Sequence, residues 1–186
     1  MIAAIPLMFG FQQVAEGLVW QAMGAEAASG LRELGVLLFL VFAYVVWPAW
    51  LPWSLSLFEV NSRRKRILNA LGVLGIGVSL VAVWILYQVE VQAYVVGHSL
   101  NYAFLNLTRR WPENLEALLY FTPTVIPFFV SSLRTIKIAR ALVFVSMLLA
   151  KIINAEAASS VWCFFAAPIS FFIAVNVLWW QKGRLS

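Results

Sequence analysis

Aspartate is absent from this 186-residue chain, and only 11% of its residues are charged, against about 25% in soluble domains. There is one histidine, His98, and one cysteine, Cys163. A lone cysteine excludes an internal disulfide and says little about compartment. One histidine and one cysteine without aspartate make a poor protein-only metal site, and no cofactor is expected. The chain has no phosphate-binding glycine loop, no Gly-x-Ser-x-Gly elbow and no long polar stretch that would fold as a water-soluble domain.

What is present is apolar. Hydrophobic residues make up 63% of the chain. A soluble core could not hide that much surface, so lipid is the expected solvent for much of it. The net charge of +5 would suggest nucleic acid in a soluble protein. Here the basic residues sit in short loops, which points to membrane topology and away from nucleic acid.

The expected architecture is all-α: a single polytopic transmembrane helix bundle over residues 1–186, with about six spans near 2–23, 34–58, 67–88, 113–133, 139–156 and 159–180. The first segment is too long, and too polar in its middle, for a cleavable signal peptide. Placing Arg63, Arg64, Lys65 and Arg66 in the cytoplasm also puts Arg134, Lys137, Arg140, Lys182 and Arg184 there. Only Arg32, Arg109, Arg110 and Lys151 fall on the other side. The positive-inside rule therefore favours an inner-membrane, multi-pass protein with both of these basic loops and the C-terminus cytoplasmic.

Within the spans, Pro48 and Pro52 are expected to kink or end the second segment, and Trp47, Trp50 and Trp53 suit the headgroup layer or, alternatively, line a pocket. Gly72, Gly75, Gly77 and Ser79 give the third span a small-residue stretch for close helix approach. The stretch from Val91 to Leu107 is moderately apolar but carries Gly97-His-Ser-Leu-Asn-Tyr102. It is expected to prolong the third helix, lie on the membrane surface, or dip in as a re-entrant turn. Pro112 is placed to start the next helix, with Glu113 and Glu116 in its first turn, and Asn106-Leu-Thr108 matches a glycosylation acceptor.

The costly residue is Glu16. A charge at the centre of a spanning helix costs roughly 2.5–3.5 kcal/mol on insertion scales. Gln13 and Gln12, three and four residues earlier, are its expected hydrogen-bonding partners on one helix face, and Trp20 extends that face. Two roles fit: a buried proton or ligand site, or a hydrogen-bonded clamp between helices. The expected topology gathers His98, Asn101, Tyr102, Tyr120, Lys151, Trp162 and Cys163 into the same outer layer. Lys151 either snorkels to the interface or pairs with Glu16.

Four blocks carry a resemblance: Ile5-Pro-Leu-Met-Phe-Gly-Phe-Gln-Gln-Val-Ala-Glu-Gly-Leu-Val-Trp20, the Gly97-His98 turn with Asn101-Tyr102, the Ser131-Ser132 pair, and Ser160-Val-Trp-Cys-Phe-Phe-Ala-Ala167. Together they resemble a group of uncharacterised prokaryotic polytopic integral membrane proteins, over most of the chain. That resemblance implies a seven-helix parent with its N-terminus outside, whose first helix opens with a Met-Cys-Phe-Ser type motif. It places the start of this chain at the second helix, and it implies no activity.

The leading functional expectation is a small-molecule or ion site, transporter-like or sensory, with Glu16 protonatable, Gln12 and Gln13 bonded to it, Trp20 and Trp162 as walls and His98 as an outer gate. Another is a structural or assembly subunit of a homo- or hetero-oligomeric membrane complex. A third is a membrane-embedded enzyme using His98 and Glu16. A serine nucleophile with His98 as base meets an obstacle, because Ser131 and Ser132 fall at the opposite membrane face and Ser99, Ser159 and Ser160 carry no catalytic signature.

Overall fold

The computed structural model describes residues 4–23, 29–105, 113–153 and 158–182. The chain is predominantly helical. Its helices are α1 (Ile5–Ala22), α2 (Ser29–Ser56), α3 (Ser62–Gln88), α4 (Glu113–Val130), α5 (Arg134–Ile153) and α6 (Ala158–Lys182). Between α3 and α4 stands an antiparallel hairpin, β1 (Val91–Val96) and β2 (Ser99–Phe104).

Local signals account for several boundaries. Pro6 occupies the first turn of α1, where its missing N–H costs nothing. Asn61 caps α3, its side-chain oxygen accepting from the N–H groups of Arg63 and Arg64 at 3.1 Å each.

Contacts fix the relative directions. Ala15 and Val19 of α1 lie against Gly35 of α2, while Phe9 stacks on Trp47 at 4.0 Å, so the two helices are antiparallel. Helices α2 and α3 are antiparallel too, with Pro48 against Gly75 and Trp53 against Gly72. The Pro48 carbonyl lies 1.9 Å from where a Cβ on residue 75 would sit. Only glycine permits that approach. Gly77, two residues on, meets nothing within 4 Å and does not serve the interface.

The prolines of α2 neither end it nor break it. The helix expands into a π segment over Val41–Val46, and the Trp47 N–H reaches back five residues to the Phe42 carbonyl. The expansion comes immediately before Pro48, which has no N–H to donate into a regular turn. The carbonyls it turns outward are met by neighbours: the Tyr120 hydroxyl donates to Ala43 at 3.1 Å, and the Ser79 hydroxyl lies 2.6 Å from the Val45 carbonyl. Trp47 is 3% exposed and packed inside the bundle, where its ring lines an apolar cavity.

Two hydrophobic clusters fill the interior. One joins Phe9, Trp47, Leu51, Leu55, Leu68, Phe128 and Ile136; the other joins Val19, Val36, Phe39, Leu40, Leu100 and Tyr102. The hairpin corrects one of the expected forms of the 91–107 segment, a prolongation of the third helix. Its register pairs Val96 with Ser99, leaving Gly97-His98 as a two-residue loop. Gly97 has φ +63°, the left-handed conformation that primed hairpin turns demand. Leu100 and Tyr102 alternate inward, and Tyr102 stacks on Phe39 at 4.7 Å, seating the hairpin on α2.

Helices α2 and α3 are each long and apolar enough to cross a membrane. At about 1.5 Å per residue, the 27 residues of α3 extend roughly 40 Å, more than a hydrocarbon core of about 30 Å. Its outer face is unpartnered: Val73, Leu80, Trp84 and Tyr87 are all more than half exposed.

Candidate functional site

Helix α1 carries a polar stripe into the bundle, and α6 answers it. The Glu16 carboxyl is 6% exposed, and the Ser160 hydroxyl of α6 donates to it. One turn deeper, Gln12 is fully enclosed. Its Oε1 accepts from the Trp47 indole N–H at 2.7 Å, and its Nε2 donates to the Cys163 sulfur at 3.2 Å. The two centres repeat one arrangement, an α1 side chain bonded to an α6 side chain, with positions rising along α1 as they fall along α6.

The two glutamines therefore part company. Gln12 was expected to bond Glu16; it bonds Trp47 and Cys163 instead, at the junction of the two hydrophobic clusters. Gln13 lies beside the Glu16 carboxyl, its amide nitrogen buried and, among the described residues, without a partner in hydrogen-bond geometry. The residue that does bond Glu16 is Ser160, which the sequence offered as the first residue of a block that carries the resemblance and as a serine without a catalytic signature.

Glu16 also borders an open cleft of about 460 Å³. Helix α1 contributes Gln13, Glu16, Gly17 and Trp20; the hairpin tip contributes His98 and Ser99; α6 contributes Ser160, Val161, Phe164 and Phe165. The hairpin is what brings His98 here: its two-residue turn places that residue in the cleft lining beside α1 and α6. That volume is in the range of small-molecule sites, which are concave and largely apolar with a few convergent polar groups.

Other expected site residues lie elsewhere. Trp162 and Tyr120 were expected in the same layer as Glu16. They line a second, almost wholly apolar cavity of about 60 Å³, with Phe9, Trp47, Leu51 and Cys163. The Trp162 indole nitrogen is buried there without a hydrogen-bond partner among the described residues. Asn101 donates to the Tyr94 hydroxyl at 2.7 Å across the exposed face of the hairpin. Tyr102 is buried against Phe39, its hydroxyl without a hydrogen-bond partner among the described residues. The side chain of Lys151 lies outside the described residues, and so does its expected pairing with Glu16. The Asn106–Thr108 site and the Arg109–Pro112 stretch also lie outside them. Among the described residues, no group of three or more His, Cys, Asp or Glu side chains gathers to hold a metal ion.

At the other end of the bundle is a polar clasp that sequence reasoning did not find. Glu59, in the α2–α3 loop, accepts from the Ser132 N–H at 2.7 Å, the Ser132 hydroxyl at 2.6 Å and the Asn61 N–H at 3.1 Å. Arg140 of α5 donates to the Phe128 and Ser131 carbonyls at 3.1 and 3.3 Å, and its guanidinium lies over the Phe129 ring. These bonds satisfy carbonyls that the C-terminal turn of α4 leaves without partners. The Ser131-Ser132 pair is thus half of a loop-to-loop clasp.

The sequence matches the family described as Family of unknown function (DUF6629) over residues 1–185. The chain belongs to that family. No curated protein and no solved structure matches it. In this DUF6629 chain three of the four blocks that carry the resemblance converge: the α1 block and the α6 block supply Glu16 and Ser160, and the Gly97-His98 turn joins them in lining the cleft, while Ser131-Ser132 lies in the clasp with Glu59.

Proposed function

We propose that the protein is a multi-pass membrane protein that binds a small molecule or ion in the cleft bordered by Glu16. The carrying observation is one carboxyl that is both nearly enclosed between α1 and α6 and adjacent to an open cleft with His98 at its mouth. A packing clamp needs the first property and not the second. The cost of placing Glu16 among apolar helices is offset in part by Ser160, and the cleft gives that carboxyl access to a ligand.

The unpartnered apolar faces support the membrane part of this reading. Leu7, Phe11 and Val14 of α1, and Val73, Leu80 and Trp84 of α3, are each more than half exposed. Soluble monomers rarely leave continuous apolar faces uncovered. With all six helices spanning, the positive-inside rule puts Arg63–Arg66 and the Glu59–Ser132 clasp in the inner-membrane cytoplasmic layer, and the cleft on the outer side.

Two measurements test this. Cysteines placed at Ser62 and His98, on a Cys163→Ala background, should label with an impermeant maleimide from opposite faces of intact cells. Labelling of both from one face contradicts the topology. For the site, the full chain in nanodiscs is screened by thermal unfolding against small cations, anions and neutral polar compounds. At least one class should raise the midpoint in wild type and lose that effect in Glu16→Gln. If every shift survives Glu16→Gln, the cleft is not the site. A protein partner lost only in Glu16 variants would then support an assembly role.

A further inference from the structure

We propose that the cleft takes a small organic cation, an alkylated ammonium group held between the Glu16 carboxyl and the rings of Trp20, Phe164 and Phe165. This rests on the cleft being a binding site and specifies the chemistry of its occupant.

The cleft has the two components such a group requires. Its acidic member is Glu16, and no Lys or Arg lines it among the described residues. An anion would meet a carboxyl with no Lys or Arg of the described lining to compensate it. Its apolar lining is aromatic as well as aliphatic: Trp20 comes from α1, and Phe164 and Phe165 come from the facing turn of α6. Aromatic faces attract cations through the ring quadrupole, tryptophan most strongly, and they do so best for bulky, weakly hydrated ammonium groups. A bare metal ion gains little from such walls, because it wants several oxygen ligands. The described lining offers the Glu16 carboxyl, the His98 imidazole, one amide at Gln13 and the hydroxyls of Ser99 and Ser160, the last already bonded to Glu16, and this set holds one carboxylate and one imidazole only. A neutral apolar guest would fit the rings and leave the carboxyl without purpose.

Position supports the same occupant. Trp20 and Phe164 are 41% and 63% exposed, so their rings are free to close on a guest, whereas the carboxyl is fixed from behind by Ser160. Gly17 is an exposed residue of the cleft lining with nothing within 4 Å of where a Cβ would sit, so a side chain can be introduced there.

The test uses tetramethylammonium chloride, titrated calorimetrically into the full chain in nanodiscs, beside sodium chloride, sodium acetate and the neutral alcohol 3,3-dimethylbutanol. Tetramethylammonium should bind, and the other three should not compete with it. Affinity should fall roughly tenfold or more in Glu16→Gln and several-fold in Trp20→Leu. Gly17→Phe, which fills the cleft and improves helix propensity, should abolish binding while the unfolding midpoint is kept. Binding of acetate or the alcohol in a Glu16- and Gly17-dependent manner would overturn the cationic class and leave the site standing. Sodium binding unaffected by Trp20→Leu would also overturn it. Tetramethylammonium binding that ignores Glu16→Gln and Gly17→Phe would overturn both the class and the site.

Discussion

The Ser160 hydroxyl donates to the Glu16 carboxyl, and this bond joins α6 to α1 across 144 residues of chain. It satisfies one oxygen of a carboxyl that is otherwise almost enclosed. Ser160→Ala removes the donor and leaves that oxygen desolvated. The expected loss is about 1–3 kcal/mol. Glu16→Gln keeps an acceptor for Ser160 and should cost less than Ser160→Ala. Thermal unfolding of the three proteins in one detergent decides the order; equal stability of Ser160→Ala and wild type would remove the bond from the account.

Gly75 and Gly77 are two residues apart on α3 and carry different loads. A Cβ at Gly75 would fall 1.9 Å from the Pro48 carbonyl, a backbone atom that cannot swing away, while one at Gly77 meets nothing. Gly75→Ala must push α2 off α3 and should destabilise by about 1–3 kcal/mol, in the manner of other overpacking changes. Gly77→Ala should be neutral or slightly stabilising, since alanine is the better helix former. Equal effects at the two positions would contradict the close crossing at Pro48.

The same stretch shows how far the sequence could be read. A run of small residues announces that some helix comes close, but not which glycine faces it, because the choice depends on the rotation of α3 against a partner distant in sequence. Glu16 was legible because a carboxyl among apolar residues has a cost that demands explanation. Its partner was not: a serine hydroxyl costs little, and no spacing rule links residues 16 and 160. The two glutamines divide for a geometrical reason. At about 100° per residue, position i−4 lies about 40° to one side of Glu16 and i−3 about 60° to the other, so one turns into the core and the other towards the cleft. The hairpin was hidden by its short apolar strands, which periodicity alone does not separate from helix. The readable signal was the Val- and Tyr-rich run ending at a two-residue turn with Gly97.

Gln12 and Trp47 form a buried pair that a double-mutant cycle can isolate. Trp47→Phe keeps an aromatic ring to stack on Phe9 but leaves the Gln12 carbonyl oxygen unbonded in a dry interior. Gln12→Leu leaves the indole N–H in the same condition. Each single change should cost about 1–3 kcal/mol, and the double change should cost clearly less than their sum, because it leaves neither group stranded. Strict additivity in unfolding measurements would mean that the two side chains do not depend on each other.

Glu59 makes a prediction about pH. Burial pushes its carboxyl up from the ordinary 4.5, but the Ser132 hydroxyl and N–H, the Asn61 N–H and the charge of Arg64 together outweigh burial, so the group is held below that value. The folded protein therefore favours the ionised form more than the unfolded chain does. The resulting stabilisation is fully present above the unfolded value. It fades as pH falls from about 4.5 through the lower folded value, because protonation then removes an acceptor from Ser132. Wild type should lose stability over this acidic window, and Glu59→Gln, which has no proton to take up, should show a flatter acid limb and lower stability near neutrality. Unfolding midpoints from pH 3 to 7 compare the two. Parallel curves would show that the clasp between the α2–α3 and α4–α5 loops does not depend on the charge of Glu59.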